Sequence, residues 1–170
     1  PIHHYAMIDF KSFETLIDIL APNGIEIDVD KDMGGLIYVE LKKGLQRLNG
    51  KELLGYARFR SDAEGDFGRV VRQQKVIEAL KDELLSPKNM VNMPKFVGAA
   101  QGYMTTDLTN TDQLATVLKA VAGGTMNVDK MTIPAEGTYK FGRYQHAGSV
   151  LEIDIEQNKQ LLHDFLNLAD

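Results

Sequence analysis

Tyr56-Ala57-Arg58-Phe59-Arg60-Ser61-Asp62-Ala63-Glu64-Gly65-Asp66-Phe67-Gly68-Arg69-Val70-Val71-Arg72-Gln73-Gln74 brings two periodicities together in one run. Tyr56 to Arg60 reads as a strand. Ser61 to Asp66 reads as a loop. From Phe67 to Leu85 the apolar spacing is helical, and Pro87 ends it. On a strand Arg58 and Arg60 share one face, since side chains alternate with a period of two. Ala57 and Phe59 take the other face.

The following helix can be drawn on a wheel at about 100° per residue. Val76, Ile77, Leu80 and Leu84 make one apolar stripe, with Lys75, Glu78, Lys81 and Asp82 on the solvated side. Arg69 and Gln73 fall inside the stripe and Arg72 on its edge. An unpaired buried charge costs on the order of several kcal/mol. Two arrangements avoid that cost. Asp62, Glu64 and Asp66 can neutralise the arginines in a surface cluster, with Asp66 also able to act as the helix N-cap. Alternatively the arginines line an open pocket for an anion. Arginine's planar fork and the free N–H groups of a helix N-terminus both suit phosphate.

Working outward, Phe10 to Leu20 carries Phe13, Leu16, Ile17 and Leu20 at helical spacing, with Asp9 or Ser12 as cap. Ala21-Pro22-Asn23-Gly24 breaks that helix. Ile25, Ile27 and Val29 alternate with Glu26, Asp28 and Asp30 as in a half-buried strand. Leu36 to Leu41 reads as a strand and Leu45 to Gly50 as a polar turn. Asn92 to Tyr103 and Thr111 to Val121 read as helices, Met126 to Ile133 and Ser149 to Ile155 as strands, and Gln157 to Leu168 as a terminal helix. Interleaved strands and short connections predict an α/β fold, a mixed β-sheet covered by helices.

The bulk numbers set limits. At 170 residues the chain suits a single domain, residues 1–170. A net charge of −5 argues against general nucleic-acid binding, which needs excess cations. The absence of cysteine removes disulfides and thiolate chemistry. No apolar run approaches the ~20 residues that cross a bilayer. The abrupt opening Pro1-Ile2-His3-His4-Tyr5 reads as a trimmed start.

Other polar residues are weighed against plain structural roles. His3 and His4 are neighbours and would face opposite ways on a strand. His146 and His163 stand alone. Asp28, Asp30 and Asp32 alternate but lack the glycine and terminal glutamate of a calcium loop. Arg143 reads as a surface residue in a loop. Met90, Met93, Met104, Phe96, Val97 and Leu118 are core candidates.

The chain resembles the LytR-CpsA-Psr family. The resemblance runs through Phe10-Lys11-Ser12-Phe13, Leu16-Ile17-Asp18, Gly24 to Val29 and Leu48-Asn49-Gly50. It is densest at Tyr56 to Arg60, Asp66, Arg69 and Arg72-Gln73-Gln74, and ends in Gly148-Ser149-Val150 and Asn158 to Leu166. Leu20 to Gly24 departs from the family's Leu-Gly-Gly turn. Membership implies an α/β/α sandwich whose N-terminal part is missing here. It implies a membrane-anchored enzyme on the extracytoplasmic face, mainly in Gram-positive bacteria. Such an enzyme moves teichoic acid or capsule-like polymers from undecaprenyl pyrophosphate to peptidoglycan. It implies Mg²⁺, with ligands in the missing part, and a hydrophobic tunnel for the lipid, which the methionines, Phe96, Val97 and Leu118 could line. By motif, the head-group residues are Arg58, Arg60, Arg69, Arg72 and Gln73. Arg58, Arg60 and Asp66 are the candidates for catalysis, Asp66 as orienter or base. The truncated chain is expected to be inactive by itself. The rival readings are a non-catalytic polyprenyl-phosphate- or polyanion-binding module with a regulatory role in envelope maintenance, and a structural fragment with internally paired charges.

Overall fold

The structure, a computed structural model, describes residues 4–35, 38–60, 65–89, 91–109, 112 and 129–167. The chain divides into two compact units, Pro1–Val128 and Asp129–Asp170. It is an α/β protein, as expected. Its described strands pair in three two-stranded antiparallel sheets with helices packed against them.

The first unit begins with β1 (Ala6–Ile8) and α1 (Phe10–Leu20). Asp9 caps α1, accepting from Ser12 N–H at 2.8 Å and Ser12 Oγ at 2.9 Å. The Ser12 backbone bond holds the Asp9 carboxyl below its usual range. Next, β2 (Ile25–Val29) alternates buried Ile25, Ile27 and Val29 with exposed Glu26 and Asp28, as its sequence predicts.

Its partner is unexpected. Most of Leu45 to Gly50, read as a polar turn, belongs to β3 (Gly44–Leu48), paired with β2 from Ile25↔Leu48 to Val29↔Gly44. Main-chain pairing outweighs the polar composition, and Arg47 ties the edge down. Its Nε donates to the Asn23 carbonyl at 2.8 Å, and its Nη2 to the Gly24 carbonyl. Gly24 has φ +76°, and a Cβ there would stand 3.0 Å from the Leu48 carbonyl oxygen. In the preceding loop, residues 36 and 37 lie outside the described residues. Met33 and Leu41 make only one antiparallel bridge.

The larger correction is α2 (Gly50–Arg58). Tyr56 to Arg60 is not a strand. Asn49 and Glu52 form a reciprocal capping box, and the helix buries Leu53 and Tyr56 one turn apart. Helix α3 (Gly65–Leu85) follows, close to the predicted span. After a short 3₁₀ turn at Pro87–Asn89 come α4 (Met93–Tyr103) and β4 (Met104–Thr106), which pairs with β1. The core gathers α1, β2, β3, α2 and the middle of α3 around Ile17, Ile25, Val29, Leu53, Tyr56 and Val76.

The second unit is β5 (Tyr139–Tyr144), β6 (Gly148–Ile153) and α5 (Ile155–Asn167). The stretch holding Arg143, read as a loop, is strand β5, paired antiparallel with β6. Arg143 is exposed, as predicted. Buried Asn158 pins α5. Its Nδ2 donates to Thr138 Oγ1 and the Asp154 carbonyl, both at 2.7 Å, while Oδ1 accepts from Ala135 N–H at 2.8 Å. Residues 129–133 are not a strand, and 126–128 lie outside the described residues. So does the predicted helix at Thr111 to Val121, apart from Asp112.

Candidate functional site

The arginine-rich stretch is a helix end, a turn and a helix start. Phe59 stops α2. Its N–H reaches back to the Tyr56 carbonyl at 3.3 Å, and its ring is buried. Burying Phe59 sends the flanking Arg58 and Arg60 outward. They do not lie side by side on one strand face. Arg58 is exposed and stacks over the Phe10 ring, 4.2 Å from its centroid.

Arg60 joins a three-member ionic chain. Its Nη2 meets Asp66 Oδ2 at 2.8 Å, and Arg69 Nη2 meets Asp66 Oδ1 at 2.8 Å. Asp66 stands in the first turn of α3, where the helix dipole favours an anion. It is a bridging carboxylate, each oxygen on a different guanidinium. Part of the expected acidic pairing is therefore real. Asp62 and Glu64, the other expected partners, lie outside the described residues.

The wheel of α3 is turned from the predicted one. The core-facing line is Gly68, Arg72, Val76 and Glu83, whereas Gln73 and Ile77 are exposed and Arg69 is half-buried. Arg72, expected at the edge, is 2% exposed. Its Nη2 donates to the Phe59 carbonyl at 2.9 Å, its guanidinium lies 5.2 Å from the Phe59 ring centroid, and Nη1 is 3.9 Å from Asp30 Oδ2. Tyr56 Oη donates to Asp30 Oδ1 at 3.4 Å. Burial, and next the Asp30 carboxylate, push the Tyr56 phenol up to about 12. Apolar periodicity misses this network because its most buried helix residue is charged.

The structure thus brings Arg60, Asp66 and Arg69 together, sets Arg58 on Phe10, turns Arg72 inward and leaves Gln73 at the surface. A second polar cluster escaped the sequence reading. Buried Glu83 accepts from Asn89 Nδ2 at 2.6 Å, with Arg47 Nη2 at 3.6 Å and Lys88 Nζ at 3.4 Å. Arg47, Glu83 and Lys88 border a cleft of about 400 Å³. The Asn49-x-x-Glu52 signature could have revealed α2. No comparable signal announces Glu83.

Among the described residues, no three His, Asp or Glu side chains converge as a metal site. His4 Nδ1 lies 3.3 Å from Asp107 Oδ2, and the His146 ring packs beside Tyr144. Of the tunnel candidates, Met93 is buried on α4 and Phe96 and Val97 are half-buried. Met90 and Leu118 lie outside the described residues.

The sequence profile of the LytR_cpsA_psr family matches residues 1–163. The chain is 46% identical over 164 residues to the "Regulatory protein MsrR" of Staphylococcus aureus, covering 96% of this chain and 50% of that protein. It is 34% identical over 150 residues to the "Polyisoprenyl-teichoic acid--peptidoglycan teichoic acid transferase TagV" of Bacillus subtilis, covering 82% of this chain and 37% of that one. The crystal structure of B. subtilis TagV superposes with a TM-score of 0.74 at 29% identity, covering 98% of this chain and 65% of that one. The chain thus spans half or less of the length of these two curated relatives. The profile match over nearly all of the sequence, together with that superposition, makes the chain a member of the LytR-CpsA-Psr family.

Proposed function

We propose that the protein containing this chain transfers a teichoic acid or capsule-like glycopolymer from undecaprenyl pyrophosphate to peptidoglycan, at the extracytoplasmic face of the membrane. The observation that carries this reading is the Asp66 carboxylate bridged between Arg60 and Arg69 at the start of α3. An anion already sits between two forked donors at a helix N-terminus, in the geometry that suits a phosphate. The bridge is also easy to displace. Arg60 and Asp66 are each more than half exposed, and exposed pairs contribute roughly 0–1 kcal/mol. A diphosphate brings more charge to the same donors. Arg58 and Gln73, both exposed nearby in sequence, complete the proposed head-group set.

In the transfer, an acceptor-sugar hydroxyl oxygen attacks the phosphorus that bears the glycan. The bond from that phosphorus to the bridging oxygen breaks, and the carrier leaves as polyprenyl phosphate. Negative charge builds on the bridging and peripheral oxygens, where fixed guanidiniums stabilise it without solvent reorganisation. The hydroxyl proton needs a base. Asp66, released from its arginines by the diphosphate, fills that role. Among the described residues no three His, Asp or Glu side chains converge, and on this reading the residues that would hold the Mg²⁺ implied by the family belong to the part of the protein outside this chain.

The test is transfer of a lipid-linked glycopolymer by the complete protein. With Arg58 and Arg60 both changed to alanine, turnover should fall by at least ~10²-fold, the loss typical of removing one preorganised donor. Full turnover in that variant refutes the reading. The second reading, a non-catalytic lipid-phosphate-binding regulator, draws support from the name of the MsrR relative. It predicts binding of the same lipid with no transfer.

A further inference from the structure

We infer that Arg72 is a positioning residue for the arginine site and does not touch the phosphate. This inference rests on the head-group reading above. Arg72 stands in the middle of the motif and is arginine like its neighbours, yet its surroundings differ in kind. Arg60 is exposed and Arg69 half-buried, and both are held only by the exposed Asp66 carboxylate among the ion pairs described. Arg72 is enclosed, and its guanidinium is committed to the protein interior. Nη2 is bonded at 2.9 Å to the carbonyl of Phe59, the residue between Arg58 and Arg60. The same guanidinium lies over the Phe59 ring and faces Asp30, which accepts from Tyr56 on α2.

One side chain of α3 therefore holds Phe59, the residue that caps α2, by its carbonyl and its ring, and through Asp30 reaches Tyr56 of α2 itself. Phe59 is the hinge from which Arg58 and Arg60 diverge. Fixing its carbonyl fixes the directions in which both leave the backbone. Because Arg72 stands one turn after Arg69 on the same helix, it also fixes Arg60 relative to Asp66 and Arg69. Lysine can offer Phe59 one hydrogen bond and keep the charge, but it cannot fork to Asp30 at the same time. A misplacement of about 1 Å in such a constellation can cost on the order of 10²-fold in rate.

The experiment compares Arg72→Met, Arg72→Lys and Arg60→Ala in the complete protein. It measures kcat, KM, Tm, and the affinity for inorganic pyrophosphate at low and high salt. We expect Arg72→Met to lower kcat about 10²-fold. Arg72→Lys, which keeps the bond to Phe59 but not the fork to Asp30, should recover only part of that loss, and in both variants pyrophosphate affinity should keep its full salt dependence. Arg60→Ala, which removes a direct charge, should flatten the salt dependence. If Arg72→Met flattens it as Arg60→Ala does, Arg72 touches the phosphate and the inference is wrong. If Tm falls while kcat per folded molecule is unchanged, Arg72 is only structural and the inference is equally wrong. Should Arg72→Met fail to fold, Arg72→Gln, which also removes the charge but keeps a donor for the Phe59 carbonyl, decides between the same outcomes. If Arg60→Ala alters neither binding nor turnover, the head-group reading itself fails and takes this inference with it.

Discussion

Gly50, the first residue of α2, lies directly against the backbone of Glu14 in α1. A Cβ on Gly50 would stand 2.1 Å from the Glu14 carbonyl oxygen, and the Gly50 N–H donates to Asp18 Oδ1 at 2.8 Å. This contact sets the distance between the two helices, and at their other ends it places Arg58 over Phe10. Gly50→Ala forces backbone against backbone, which no rotamer change relieves. The expected cost is about 3 kcal/mol, at the upper end for overpacking. Denaturant unfolding of the wild type and the variant checks it, and an unchanged midpoint would show that α1 and α2 are free to separate.

The capping box at the start of α2 gives a smaller, separable effect. Asn49 accepts from Glu52 N–H at 3.0 Å, and Glu52 Oε2 accepts from Asn49 N–H at 3.0 Å. Asn49→Ala should destabilise by about 1 kcal/mol. The same unfolding experiment should find Asn49→Ser close to wild type.

The buried phenol of Tyr56 predicts an alkaline transition. Its folded value is pushed up to about 12, above the ordinary 10.0, so the folded state keeps its proton more tightly than the unfolded chain. That contribution to stability is complete below pH 10 and is lost as pH rises from there through about 12. A spectroscopic phenolate titration should show a late component that disappears in Tyr56→Phe. Tyr144, whose hydroxyl donates to Glu152 at 2.5 Å, is also shifted upward, and its late component should persist in that variant.

Asp66→Asn separates binding from chemistry. The pairs it removes are exposed, so stability should change by no more than about 1 kcal/mol. Two guanidiniums lose their competing carboxylate, so pyrophosphate should bind more tightly. Turnover should fall, because the proposed base is gone. Calorimetric titration and the transfer assay on one preparation check both directions, and weaker binding with normal turnover would contradict the assignment.

Much of the fold is legible in the sequence where one physical rule dominates. Ile25, Ile27 and Val29 announce β2 by alternation, and the apolar spacing after Phe67 announces α3 almost end to end. The misreadings occur where tertiary contact overrides the local pattern. Tyr56 to Arg60 looks like a strand because Ala57 and Phe59 alternate with Arg58 and Arg60, yet Leu53 and Tyr56 bury one turn apart on a helix started by Asn49. The arginine set is legible by type and by resemblance to the family. Its orientation is not, because the wheel of α3 is turned by a charged residue whose burial depends on Phe59 and Asp30. Arg47 and Glu83 are far apart in sequence, and only the fold brings them together.

The central claim is that Arg60 and Arg69, now joined through Asp66, receive a lipid-linked diphosphate. The most direct measurement is a titration of the complete protein with a short-chain polyprenyl diphosphate, followed through the side-chain nitrogen resonances of its arginines. The signals of Arg60 and Arg69 should move together at one saturating concentration, while that of Arg72 stays in place. Saturable binding that leaves both signals unmoved, or that survives unchanged in the Arg60→Ala/Arg69→Ala variant, would contradict the account.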